Sequence, residues 1–299
     1  MKRKIVFVLS VLSIHGSLLA QDPSIKDLQN AASKEVKGLD SNGWKKGGTF
    51  LINVNQGHLS NWVGGGEQNT LGINANLNYA INYKKDKVRW DNYFEVALGM
   101  QNATSFNKFR KTDDRFDITS KYGYQIANKL YASALVNFNT QMLEGYAYAA
   151  TSETKVSNLL SPGKLLVSLG IEYRPSDNFA VFVSPVTTRW LLKLDEDFLN
   201  QNLFGVPAGS KSYNEIGAYL SARFKKELAK FATYTSRLDF FTNYKRDPQN
   251  VDVLFNNMVV LKYNSWLATS ISVDILYDHD ILAKTQLKEI LGIGLSFKL

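Results

Sequence analysis

The sequence predicts an all-β fold, a transmembrane antiparallel β-barrel of about twelve strands with short turns at one end and longer loops at the other. Three observations predict it. The first is alternation. Leu71, Ile73, Ala75, Leu77, Tyr79, Ile81 and Tyr83 hold the odd positions, and Gly72, Asn74, Asn76, Asn78 and Asn82 hold the even ones. After residues 84–87 the rhythm resumes with Val88, Trp90, Phe94, Val96, Leu98 and Met100, interleaved with Arg89, Asp91, Glu95 and Gln101. Side chains two apart share one face of a strand, so each run has an apolar and a polar face. The second observation is length. These runs exceed the ~5–6 residues of ordinary strands and reach the ~9–11 that cross a bilayer. The third is loop rhythm, since short connections alternate with long ones along the chain.

The strands are expected at 44–56, 69–84, 88–102, 113–125, 129–142, 164–175, 178–194, 213–226, 229–245, 251–264, 267–279 and 288–299. Phe116, Ile118, Tyr122 and Tyr124 alternate with Asp117, Thr119, Lys121 and Gln125. Leu165, Val167, Leu169, Ile171 and Tyr173 alternate with Ser168, Gly170, Glu172 and Arg174. Ile216, Ala218, Leu220, Ala222 and Phe224 set the outward face of the eighth strand, and Leu291, Ile293, Leu295, Phe297 and Leu299 that of the last. One run changes face: Phe179, Val181 and Val183 are odd, whereas Trp190, Leu192 and Leu194 are even. Pro185 sits at the change, and an inserted residue flips a strand's face, so a bulge is expected near 184–188. Outward aromatics near the short turns (Tyr83, Trp90, Tyr122, Tyr124, Tyr173, Phe179, Phe224, Tyr263, Phe297) form an interfacial belt. Phe106, Phe109, Phe138, Tyr244 and Tyr277 supply a sparser girdle near the long loops.

Two segments precede the barrel. Lys2, Arg3 and Lys4, then an apolar stretch over 5–14, then Leu18-Leu19-Ala20 before Gln21, read as a cleaved signal peptide spanning 1–20. Residues 21–43 form an N-terminal segment on the periplasmic side, with Ile25, Leu28, Ala32 and Val36 at helical spacing. The barrel takes 44–299. This organisation places the chain in the outer membrane of a Gram-negative bacterium, in contact with lipid and with the barrel-insertion machinery.

Composition excludes several functions. The chain has 299 residues, no cysteine and a formal charge of +8, which falls to +5 without the leader. Absence of cysteine removes disulfides, thiolate metal sites, cysteine nucleophiles and a lipidated anchor. No basic cluster of the kind nucleic acid requires is present.

The segment Trp44-Lys45-Lys46-Gly47-Gly48, with Gln56, Asn61-Trp62 and Gly64-Gly65-Gly66-Glu67, resembles the opening of an uncharacterised exported family of Bacteroidota. The resemblance implies an outer-membrane β-barrel and brings no catalytic residue or cofactor. The ending Leu295-Ser296-Phe297-Lys298-Leu299 resembles the C-terminal strand that insertion machinery reads.

The candidate sites are two. The first is the long loop after strand one, with His58, Asn61, Trp62, Gly64, Gly65, Gly66 and Glu67. Its glycines let backbone approach a ligand or the barrel wall, and Trp62 offers a stacking surface, though the same loop could simply fold into the mouth. The second is the lumen: Arg89, Asp91, Glu95, Asp117, Lys121, Glu172, Arg174, Arg223, Arg237 and Asp239, with Glu215, Lys225, Asp252, Lys262, Asp274 and Asp278 on the same faces. Rings of one sign would mark an ion-selective pore. Mixed signs pair across the lumen, and twelve strands lie between a filled barrel and an open one, so a narrow or occluded lumen is expected. A hydrolase would need a serine and a base; His58, Ser60 and the Asp278-His279-Asp280 run provide no nucleophile motif. The chain therefore reads as a non-enzyme without cofactor or metal: a narrow channel or small-solute conduit, or alternatively a structural barrel that docks a partner in the outer membrane.

Overall fold

A computed structural model describes residues 42–58, 60, 69–149, 152–176, 178–264, 267–278 and 282–298. The signal peptide, nearly all of the N-terminal segment and the glycine-rich loop residues 61–67 lie outside the described residues. Twelve strands close an antiparallel barrel: β1 (Gly43–His58), β2 (Asn69–Lys85), β3 (Val88–Ala103), β4 (Arg110–Ala127), β5 (Leu130–Thr140), β8 (Gly163–Ser176), β9 (Phe179–Leu192), β10 (Ser212–Ala229), β11 (Ala232–Asn243), β12 (Val251–Lys262), β13 (Leu267–Asp278) and β14 (Leu282–Lys298). The connection from β5 to β8 holds a separate hairpin, β6 (Gly145–Tyr148) and β7 (Glu153–Ser157), where the sequence suggested only loop. Each barrel strand pairs with its sequence neighbour in the barrel, which is an up-and-down order.

The faces follow the alternation. On β3, Arg89, Asp91, Tyr93, Glu95 and Ala97 are buried inward, while Trp90 and Phe94 are exposed. Ile73, Val136, Leu169, Ile171, Val183, Val186 and Ile271 form part of a broad exposed apolar band on the outside. A surface of this kind needs an apolar medium rather than water, which makes the barrel transmembrane. At the short-turn end Trp44 stacks within 5.0 Å of Tyr83 and 5.9 Å of Trp90. The Trp90 indole N–H also donates to Ser120 Oγ at 2.8 Å. Such amphipathic rings suit the membrane–water boundary. Phe106, expected in the outer girdle, instead stacks under Arg110 at 3.6 Å. The tight turns after β2 and β4 use Asp86 and Lys129 at φ 50° and 62°, the left-handed geometry that matches strand twist.

The face change on β9 is a bulge, where the sequence placed it. Opposite β8, Leu169 pairs with Val186 but Ile171 pairs with Val183. Opposite β10, Gly217 pairs with Thr187 but Tyr219 pairs with Ser184. Two residues on β9 therefore face single positions on each neighbour. Gly170 on β8 and Ala218 on β10 occupy those positions, and a Cβ on Gly170 would strike the backbone of Val183. Ser184 Oγ fills the gap by donating to the Leu169 carbonyl at 2.8 Å.

The seam is short. Among the described residues β1 pairs with β2 over sixteen positions from Gly43 to His58, yet with β14 over four, from Thr49↔Lys298 to Ile52↔Leu295. β14 also begins at Leu282, six residues earlier than the alternation from 288 suggested, because it continues the ladder with β13.

Two outcomes follow from the wall. Leu169 is 57% exposed and points outward, so Leu169→Arg should cost ~2–4 kcal/mol in folding titrations into phospholipid vesicles. The neighbouring Ser168 is 0% exposed and hydrogen-bonded to Thr187 at 2.8 Å, so arginine should not be accommodated at that inward position. For the seam, Leu51 lies opposite Ser296, so cysteines at these two positions should cross-link within a monomer under mild oxidant. A folded double-cysteine protein that stays reduced would show that the seam does not form.

Candidate functional site

The interior is built from intrastrand charge pairs. Arg89 and Asp91 on β3, Glu172 and Arg174 on β8, and Arg237 and Asp239 on β11 are each two residues apart, so each pair shares the inward face. Arg89 Nε donates to Asp91 at 3.0 Å, Arg237 Nε to Asp239 Oδ1 at 2.9 Å, and Arg174 to Glu172. The pairs are then joined across the lumen. Lys121 Nζ on β4 reaches Glu172 at 2.8 Å, Arg223 on β10 reaches it at 3.7 Å, and Arg174 approaches Asp91 at 4.0 Å. Of the ten charged residues expected in the lumen, nine are buried and Arg223 is partly so. Glu95 pairs with Arg115 at 2.9 Å, and Asp117 accepts from Thr119, Asn137 and Asn139. Arg189 and Glu215, opposite each other on β9 and β10, form a further ion pair.

Between these charges lies an apolar cluster that sequence reasoning missed: Leu135, Leu166, Phe182, Tyr219 and Phe241, all inward and buried. The Tyr219 hydroxyl donates to Asp239 Oδ1 at 3.0 Å and accepts from Arg237 Nη2 at 2.8 Å, tying the cluster to the ions. The Arg189 guanidinium stacks 4.5 Å over Phe241. The signal for it was present at 164–167, where Leu165, Leu166 and Val167 are apolar on both faces.

The lumen beside β2 differs. Asn78 faces inward, opposite Glu95 of β3 and Thr49 of β1, yet it is exposed. Asn74 and Asn76 on the same face are half-buried, and the Asn78 amide donates to Asn76. The described interior is thus packed from β3 to β11 and accessible along an asparagine stripe on β2.

At the long-loop end a cap rises from the packed half. Lys155 of β7 bridges Asp195 at 2.6 Å and Asp197 at 2.8 Å. Asn158 donates to Asp195 at 2.6 Å, and the Asp195 amide donates to Ser161 Oγ at 2.8 Å. These contacts with Lys155 and then Asn158 hold the Asp195 carboxyl down to about 2, and the same two carboxylates raise the Lys155 ammonium above its usual value. Lys111 gathers Asp114, Gln141 and the Leu143 carbonyl within 2.9 Å. Lys193 is 0% exposed and donates into carbonyls of Leu199, Gln201, Val206 and Pro207, which wrap residues 199–207 around one ammonium. Loss of hydration lowers its pKa. His58, the described member of the first-loop candidates, is exposed and its Nδ1 lies 2.6 Å from Asn69 Oδ1, which clips β1 to β2. His279 lies outside the described residues.

Residues 54–146 match the profile of a family described as "Protein of unknown function (DUF3078)". The match starts within β1, overlaps the 56–67 part of the opening motif and runs through β5 into the β6 hairpin. No curated protein matches. Among solved structures, the chain is similar to the COG4313 outer membrane channel from Pseudomonas putida F1, at 11% identity over 88% of this chain and 99% of that one, with a TM-score of 0.41. It is similar to the translocator domain of autotransporter NalP from Neisseria meningitidis, at 9% identity over 91% and 92%, with a TM-score of 0.41. The NanC porin aligns at 8% identity over 85% and 100%, with a TM-score of 0.39. At this distance the functional argument rests on the chain's own residues.

The cap has a pH signature. Because Asp195 is held at about 2 against an ordinary 3.8, its contribution is complete above pH 3.8 and is lost as pH falls through about 2. Because Lys155 is raised above 10.5, its contribution holds below that value and is lost only at more alkaline pH. Limited proteolysis should leave the 193–211 connection protected from pH 4 to 10 and open it near pH 2, while Asp195→Asn should open it at neutral pH.

Proposed function

We propose that the chain is a narrow outer-membrane conduit for small, uncharged polar solutes, whose path runs along β2 beside Asn74, Asn76 and Asn78. The observation that carries this reading is an inward asparagine, Asn78, that stays exposed while nine of the ten lumen charges named above are buried. Amide side chains offer both donors and acceptors without a net field, so they replace solute hydration without selecting for charge. The charged half is locked in pairs and stacked on apolar side chains, so it serves as wall rather than pathway. A signal peptide over 1–20, and an opening and C-terminal strand resembling those of exported Bacteroidota barrels, support delivery to the outer membrane of a Gram-negative cell through the insertion machinery.

A second reading has its own observation. The ordered cap tied by Lys111, Lys155 and Lys193 presents a built surface, as a structural barrel that docks an outer-membrane partner would need.

Planar-bilayer recording separates them. The purified barrel should give steady openings well below the conductance of 16–18-stranded porins, and Asn76→Trp should reduce them several-fold while outward Tyr122→Trp leaves them unchanged. Silence from folded protein, with a stoichiometric co-purifying protein, would overturn the conduit in favour of docking.

A further inference from the structure

At the short-turn end of the packed half, a cavity of about 10 Å³ is lined by Arg89, Asp91, Lys121, Gly123, Tyr131, Ser133, Glu172 and Arg174. Its existence traces to a missing side chain. Gly123 on β4 lies opposite Arg89 on β3 and Ser133 on β5, so it sits at the centre of the lining. A Cβ there would stand 3.2 Å from Ser133 Oγ and 3.7 Å from Tyr131 Cβ, within the space now open. Ser133 is 7% exposed, and its Oγ has no hydrogen-bond partner among the described residues. A buried hydroxyl of this kind costs free energy unless something occupies the space beside it.

The lining selects the sign of that occupant. It brings three cations, from Arg89, Lys121 and Arg174, against two carboxylates. The carboxylates are already engaged, Asp91 by Arg89 at 3.0 Å and Glu172 by Lys121 at 2.8 Å and by Arg174. Arg223, 3.7 Å from Glu172, adds to the positive field from the next layer. Size selects further. Such a volume is that of about one water-sized sphere, so an ion seated there must be monatomic; carboxylate, phosphate and sulfate are too large. A low-dielectric wall strengthens the attraction of the surplus charge for a small anion.

We infer that this cavity is a halide site, in which one chloride accepts from Ser133 Oγ and lies against the Lys121 and Arg174 side chains. The ion balances the charge of the layer that locks β3, β4, β5 and β8 together, and its binding couples to barrel stability through mass action. The inference does not depend on conduction through the β2 side.

Urea midpoints of the detergent-folded barrel in sodium chloride, sodium bromide and sodium gluconate at equal ionic strength provide the test, together with anomalous diffraction from crystals grown in bromide. Chloride and bromide should raise the wild-type midpoint above that in gluconate. Ser133→Ala should weaken the apparent halide affinity about tenfold through the lost donor. Gly123→Ala should abolish the difference by filling the space. A bromide peak should sit between Ser133 Oγ and Lys121 Nζ. Equal wild-type midpoints in halide and gluconate, or bromide found on the surface only with water in the cavity, would overturn the inference. Should either variant fail to fold, the wild-type midpoints and the bromide map still decide it.

Discussion

A barrel of twelve strands is wider than its side chains can fill by aliphatic packing and narrower than a free aqueous channel, so its interior must be settled by how charge is buried. Here the unit is an arginine and a carboxylate two residues apart on one strand. Each forms its ion pair within its own strand, without needing a charge from a neighbouring strand, as Arg89 does with Asp91 and Arg237 with Asp239. A buried charge that lost its partner would be strongly destabilising. Pairs held within one strand meet that requirement locally, and cross-lumen links such as Lys121 to Glu172 tie non-adjacent strands β4 and β8 together.

The same constraint explains where the interior is apolar. Phe182, Tyr219 and Phe241 lie on β9, β10 and β11, alongside the Arg237–Asp239 pair and the Arg189–Glu215 pair. They exclude water from those ions, and the Tyr219 hydroxyl meets both members of one pair. Apolar and charged side chains act together here: the rings lower the local dielectric, which makes each pair stronger and each lapse in pairing more costly.

Much of the wall was legible in the sequence because its signal is local. Period two gave both faces of β2, β3, β4 and β10, and the parity change around Pro185 located the β9 bulge to within a few residues. Strand ends were less legible: β14 extends to Leu282 because β13 offers it a ladder, a non-local reason absent from its own pattern. The interior was legible in kind but not in detail. Inward polar positions could be named, yet the composition of β8 and β9, apolar toward both lipid and lumen, hid the cluster, since periodicity is blind where both faces are apolar. The cap was illegible for a different cause. Lys155 and Lys111 look like ordinary loop lysines and Lys193 like the end of a strand, and only the folded geometry brings carboxylates or carbonyls around them.

The distribution of pairing gives the barrel two mechanical halves. From β3 to β11 the wall is braced twice, by its ladders and by the interior network that links β3, β4, β8 and β10 across the lumen. Beside β2 the bracing from inside thins, as the exposure of Asn78 records. The β1–β14 seam borders that same side and carries four paired positions against sixteen between β1 and β2. Local opening starts where hydrogen bonds and packed contacts are fewest. Shape fluctuations of this barrel should therefore concentrate at the seam and be absorbed there, with the braced half holding its form. That division lets one chain keep a rigid, charge-locked wall and still present a polar, solvent-accessible face, without opening the low-dielectric core on which its buried ions depend.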